Sequence, residues 1–153
     1  MSTVDASVHI DATPEQVWEV VMDPSRLAEW VTIHRRLRYA DDGAARTGYR
    51  MEQQIHLRGV SLDVHWELVE CVPNRRAVWD GRGPARSHAR TEYVLIPEQE
   101  GGATDFRYHN EFHAPLGPIG AIASRALVGG MPEREAHRTL QRLSELMNPP
   151  RQS

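Results

Sequence analysis

Three polar side chains stand where strict alternation calls for apolar ones: Gln53, Thr91 and Asn110. A polar group on an apolar face costs about 1–3 kcal/mol when it is left unpaired. Each therefore needs a side-chain partner, a buried water or a ligand. Tyr93 and Tyr108 lie on the same faces. Their hydroxyls can act as weak acids on an enolising ketone, and their commoner role is an anchoring hydrogen bond. Tyr93, Tyr108 and Asn110 are the candidate catalytic residues, able to polarise a carbonyl held in a dry cavity. Around them the same parity supplies Tyr49, Met51, Ile55, Val64, Trp66, Trp79, Phe106 and Phe112. With Gln53 and Thr91, and with Ile122 and Ala126 from a C-terminal helix, these form the candidate ligand wall. Plain core packing is the ordinary role of aromatics at this spacing, so the enclosing shape must decide.

Other reactive types fall on the opposite parity. His9, His56, His65, His88, His109 and His113 all point away from the apolar faces. His109 and His113 are four strand residues apart, roughly 13 Å, too far for one metal ion. No metal or cofactor is expected. His34 follows the second helix and stands near the mouth of any cavity, a minor candidate for a base. Cys71 adjoins Val72-Pro73 with nothing basic beside it, so it reads as a packing residue. Nucleophile-elbow, phosphate-loop and dinucleotide motifs are missing from the sequence. Arg35-Arg36 and Arg75-Arg76 are short pairs among acidic stretches, which argues against nucleic acid.

The elements that position these residues follow from periodicity. Residues 4–10 alternate as a half-buried strand. Thr13, Pro14 and Gln16 form a capping box that opens a helix carrying Val17, Trp18 and Val21 inward. Asp23-Pro24 starts a second short helix, with Leu27 and Trp30 one turn apart. Strands are then predicted at 36–41, 47–58, 60–69, 76–82, 87–96 and 103–113. A two-residue turn at Gly59-Val60 would set Leu57 against Leu62, Ile55 against Val64, Gln53 against Trp66 and His56 against Asp63. From 118 the helical period returns, through Ile119, Ile122, Ala123 and Ala126, then Ala136, Leu140, Leu143 and Met147. Pro132 divides this stretch into two segments. A curved antiparallel sheet of this kind has one concave face, and only the last helix is long enough to cover it.

Composition sets the outer limits. At 153 residues and a formal net charge of −3, the chain suits one α+β domain with no strong pull toward nucleic acid or anionic membrane. A single cysteine forbids an internal disulfide and favours a reducing, cytoplasmic setting. No apolar run approaches the roughly 20 residues of a membrane-spanning helix, and the N-terminal residues lack a signal-peptide pattern.

Two stretches carry a family likeness: Ile10-Asp11-Ala12-Thr13-Pro14-Glu15-Gln16-Val17-Trp18 through Asp23-Pro24-Ser25-Arg26-Leu27-Ala28-Glu29-Trp30, and Gly101-Gly102-Ala103-Thr104-Asp105-Phe106 through Ala114-Pro115-Leu116-Gly117-Pro118-Ile119-Gly120. With the element order, they resemble the START-like (SRPBCC) superfamily, and within it the bacterial polyketide cyclase/dehydrase and lipid-transport group. The resemblance implies a helix-grip fold: a curved seven-stranded antiparallel sheet around a long C-terminal helix, with two short helices after the first strand. It implies one ligand-binding domain over 1–148, with a tail at 149–153. The family's cyclases use cavity arginine, tyrosine and hydroxyl groups to polarise ketones. Here Arg38, Arg50, Arg58, Arg90 and Arg107 point outward and Arg125 lies off the helix stripe, so only a β-bulge would bring an arginine inside. Three functions are expected from the resemblance, since fold does not fix chemistry. The first is binding of an apolar or aromatic small molecule by a monomer or homodimer. The second is a cofactor-free polyketide cyclase, aromatase or dehydratase. The third is a protein-interaction module of the chaperone-activator type, against which the charged outer face speaks.

Overall fold

Thr13 begins the first helix as its residue types require. Its hydroxyl accepts from the Gln16 backbone N–H, and the Gln16 side chain accepts from the Thr13 N–H. The computed structural model describes residues 2–113 and 132–148. In chain order it has β1 (Ser2–Ile10), α1 (Pro14–Val21), a 3₁₀ turn (Pro24–Arg26) and α2 (Leu27–Trp30). Then follow β2 (His34–Ala40), β3 (Arg50–Leu57), β4 (Val60–Val72), β5 (Arg76–Arg82), β6 (His88–Glu98), β7 (Ala103–His113) and α3 (Glu133–Met147). The strands form one seven-stranded antiparallel sheet in the order β1-β7-β6-β5-β4-β3-β2. A curved open sheet, a C-terminal helix and short helices after β1 make the helix-grip arrangement expected from the sequence.

Parity holds along the strands that matter. Met51 and Gln53 in β3, Val64 and Leu68 in β4, and Thr91, Tyr93 and Leu95 in β6 are buried. So are Phe106, Tyr108, Asn110 and Phe112 in β7. Arg38, Arg50, Arg58, Arg90 and Arg107 are exposed. Register shifts occur in the β2–β3 pairing and between Leu68 and Glu70, and they turn no arginine inward. Such irregularities sharpen local bend and twist.

The β3–β4 turn departs from the expected one. Its two loop residues are Arg58 and Gly59, with φ of 50° and 81°. Leu57 therefore pairs with Val60, Ile55 with Leu62, Gln53 with Val64 and Met51 with Trp66. His56 faces Ser61, and Asp63 is held by Arg38 instead. A two-residue hairpin loop whose two φ angles are both positive matches the twist of its strands. Gly59 suits the second position, whereas β-branched Val60 would be an outlier in that region. Register moved by two residues, so every side chain kept its face.

α3 begins directly after Pro132, which stands extended as its N-cap. The first helical segment expected upstream, with Ile119, Ile122, Ala123 and Ala126, lies outside the described residues. The described helix packs along β1 and α2, burying Ala136, Leu140 and Leu143. Thr139 ties its first half to Thr32, through both the Thr32 backbone N–H and the hydroxyl. Asn148 ties its end to the Asp11 N–H at 2.8 Å. Trp30 anchors the centre, meeting Phe106 edge-on at 6.4 Å and Tyr93 at 6.0 Å.

The convex face carries histidine–carboxylate contacts. His109 approaches Asp5 at 2.6 Å and Glu111 at 3.4 Å. The hydrogen bond to Asp5, more than the one to Glu111, raises its pKa. A raised folded pKa gives stability that is complete below the unfolded histidine value of about 6.5 and is lost as pH rises through the folded value. His109→Gln should accordingly lower the urea midpoint most between about pH 5 and 6.5, with the deficit closing toward pH 9. A deficit that does not change with pH would refute that account.

Candidate functional site

Inward residues of β3 to β7 meet α2 and the segment after it around a pocket of about 120 Å³. A void of this size far exceeds one water, and apolar voids only slightly larger hold a benzene ring. Of the residues singled out from sequence, Met51, Gln53, Ile55, Val64, Trp66 and Trp79 line it on the β3–β5 side. Thr91, Tyr93, Tyr108, Asn110 and Phe112 line it on the β6–β7 side. Tyr49 does not: its ring packs edge-on to Trp79 at 6.2 Å. Phe106 does not either, because it is fully buried beneath Trp30 and Tyr93. Ile122 and Ala126 lie outside the described residues.

The sequence reading missed part of the wall. Leu27, Trp30, Val31 and Ile33 come from α2 and its exit, and Thr139 from α3. Leu27 and Trp30 were legible as inward helix positions, but which space they border was not. Gly81, Gly83 and Ser87 complete one rim. Gly81 pairs with Trp66 across β4–β5, and a Cβ built on it would stand 2.6 Å from the indole. Hydrogen in place of a methyl group is what lets the Trp66 ring lie flat on the sheet.

The polar members are organised in two groups. Trp66 Nε1 donates to Gln53 Oε1 at 2.9 Å. An indole N–H can only donate, so the Gln53 amide orientation is fixed. Its nitrogen then donates to His34 Nδ1, 2.9 Å away, and that acceptor role places the proton of His34 on Nε2. Burial lowers the His34 pKa, consistent with a neutral ring. His34 is thus engaged behind Gln53 and is not part of the pocket wall. The second group joins β6 and β7. Thr91 Oγ1 donates to Asn110 Oδ1 at 2.8 Å, and the Tyr108 hydroxyl is hydrogen-bonded to Thr91. Burial pushes the hydroxyls of Tyr93 and Tyr108 well above the ordinary tyrosine range, which keeps both protonated. Trp30 Nε1 is buried without a hydrogen-bond partner among the described residues.

Among the described residues the wall contains no Asp, Glu, Lys or Arg. Its one imidazole, His88, lies 2.8 Å from Asp80. No group of three or more potential metal ligands occurs among the described residues. Burial raises the Cys71 pKa, so its thiol stays protonated. No described helix is long and apolar enough to cross a membrane.

A curved antiparallel sheet gripping a C-terminal helix, with an apolar pocket on its concave side, defines the START-like class of protein. Within that class, the chain belongs to the polyketide cyclase/dehydrase and lipid-transport family, whose pattern it matches over residues 1–148. It is similar to Toxin Rv0910 of Mycobacterium tuberculosis, 27% identical over 127 residues that make up 83% of this chain and 88% of the relative. Its fold is shared with DR_A0006 of Deinococcus radiodurans, at a TM-score of 0.69 and 18% identity over 96% of this chain and 98% of the other. It also matches DynU16, from the dynemicin biosynthetic locus, at a TM-score of 0.63 and 19% identity, with 97% of this chain aligned to 48% of that one.

Gly81→Ala tests how the wall is held. The added methyl should displace the Trp66 indole, break its bond to Gln53 and destabilise the protein by about 1–3 kcal/mol. A urea midpoint and a Trp66 indole N–H shift both equal to those of the parent would show that the ring does not depend on Gly81.

Proposed function

We propose that this protein binds an apolar or aromatic small molecule in the pocket between the concave sheet and α2, as a cytoplasmic monomer or homodimer. The observation that carries this reading is the pocket itself: about 120 Å³ of space walled chiefly by apolar and aromatic side chains. Protein interiors close-pack, and a void of this size costs stability unless something fills it.

Catalysis as a polyketide cyclase, aromatase or dehydratase is the second reading. The Tyr108–Thr91–Asn110 group favours it, since all three residues line an apolar pocket where a carbonyl could be polarised. Proton transfer weighs against it. Tyrosines with raised pKa values are poor acids, His34 is tied to Gln53 and His88 to Asp80. Such a wall suits holding a molecule better than converting it.

Toluene titrated into isotope-labelled protein tests the binding reading. The indole N–H signals of Trp30, Trp66 and Trp79, which line the pocket, should shift and saturate. Trp18, which is not part of its wall, should stay in place. Four unmoved indoles, or four that drift together, would end it.

A further inference from the structure

We propose that the pocket selects an uncharged, single-ring molecule carrying one hydrogen-bond acceptor, such as an aryl ketone, and that Asn110 and Tyr93 are the residues that select it. This rests on the binding reading above and adds the chemical class of the ligand.

The polar groups of the wall are nearly all engaged. Both ends of the Gln53 amide are used, by Trp66 and His34. The Ser87 hydroxyl donates to the Pro84 carbonyl at 2.8 Å. Thr139 is bonded to Thr32, and Thr91 gives its proton to Asn110 Oδ1. What remains without a partner among the described residues is the Asn110 amide nitrogen, the Tyr93 hydroxyl and Trp30 Nε1. Two of these can only donate, and the third can donate. Trp30 Nε1 alone of the three is sealed from its surroundings; the Asn110 and Tyr93 donors belong to pocket-lining residues, and a ligand that brings an acceptor completes them.

Position concentrates that demand. Thr91 pairs with Asn110, and Tyr93 pairs with Tyr108 at the next inward step along the same two strands. Tyr93 and Asn110 are therefore diagonal neighbours, about 7–8 Å apart at the backbone, and both line the pocket. Charge sets the other limit. An anionic headgroup would be buried opposite no described cation, and an unpaired buried carboxylate is strongly disfavoured. Volume limits the apolar body to about one ring.

Three compounds of nearly one shape separate these claims: acetophenone, α-methylstyrene (a methylene in place of the carbonyl oxygen) and benzoate. Affinities are read from the Trp66 and Trp79 indole signals at pH 7. The parent protein should bind acetophenone about three- to tenfold tighter than α-methylstyrene, the worth of one net hydrogen bond, and benzoate weakest of all. Tyr93→Phe, and Thr91→Val combined with Asn110→Leu, should each bring the ketone preference toward one. Binding of α-methylstyrene should stay within about twofold in both. The double change removes both partners of the Thr91–Asn110 bond but also the Thr91 partner of the Tyr108 hydroxyl, so Tyr93→Phe is the deciding variant and suffices should the double variant fail to fold. Equal binding of ketone and styrene by the parent, or a preference unchanged in the variants, overturns this inference and leaves the apolar pocket standing. Benzoate bound as tightly as acetophenone overturns the uncharged character of the ligand. Failure of all three compounds to bind removes the binding reading as well.

Discussion

Polar side chains placed on the buried face of a bent sheet must satisfy one another, because little water reaches them. Gln53 does so by taking the Trp66 indole proton and passing its own to His34. Thr91 and Asn110 do so across β6 and β7. Each arrangement fixes an orientation that apolar packing alone would leave loose. The first holds one aromatic wall of the pocket and a histidine tautomer together. The second links two residues of the pocket wall.

Shape and packing work with that constraint. Trp66 can lie against the sheet because Gly81, opposite it, has no side chain. The two elements that close the structure are each anchored by a residue that also borders the pocket. Trp30 is wedged between Tyr93 and Phe106, and α3 is tied at Thr139 and Asn148. These contacts fill part of the concave face and leave the space between β3 and β7 unfilled. Charge is segregated to the convex side. There arginine and histidine meet carboxylates across strands, as in Arg76 with Glu70 and Glu92. Exposed pairs of this sort contribute little stability. Their consequence is that the concave side carries no described charge to attract an ionic ligand.

Much of this was legible in the residues. Alternation named the inward set, and Thr13-Pro14-Gln16 named the start of α1. The outward arginines correctly implied a wall without a guanidinium among the described strands. Two inward aromatics were not distinguishable from the wall. Phe106 and Tyr49 have the same parity as Tyr108 and Met51, but one lies under Trp30 and the other behind Trp79. Parity gives a face and carries no information about depth. His34 was noticed only as a residue near the mouth, since nothing local announces that Gln53 will reach it.

The sequence by itself determined which side of each strand is oily, where helices begin and that the chain joins the START-like class. The first two follow from short-range rules, period two, period 3.6 and capping chemistry, and the third from the family resemblance carried by residues 10–30 and 101–120. Tertiary structure decided the hairpin register at Arg58-Gly59, the partners of Gln53, the seat of Trp66 on Gly81 and the place where packing leaves a pocket. Those depend on contacts between residues far apart in the chain, whose distances and depths no local pattern encodes.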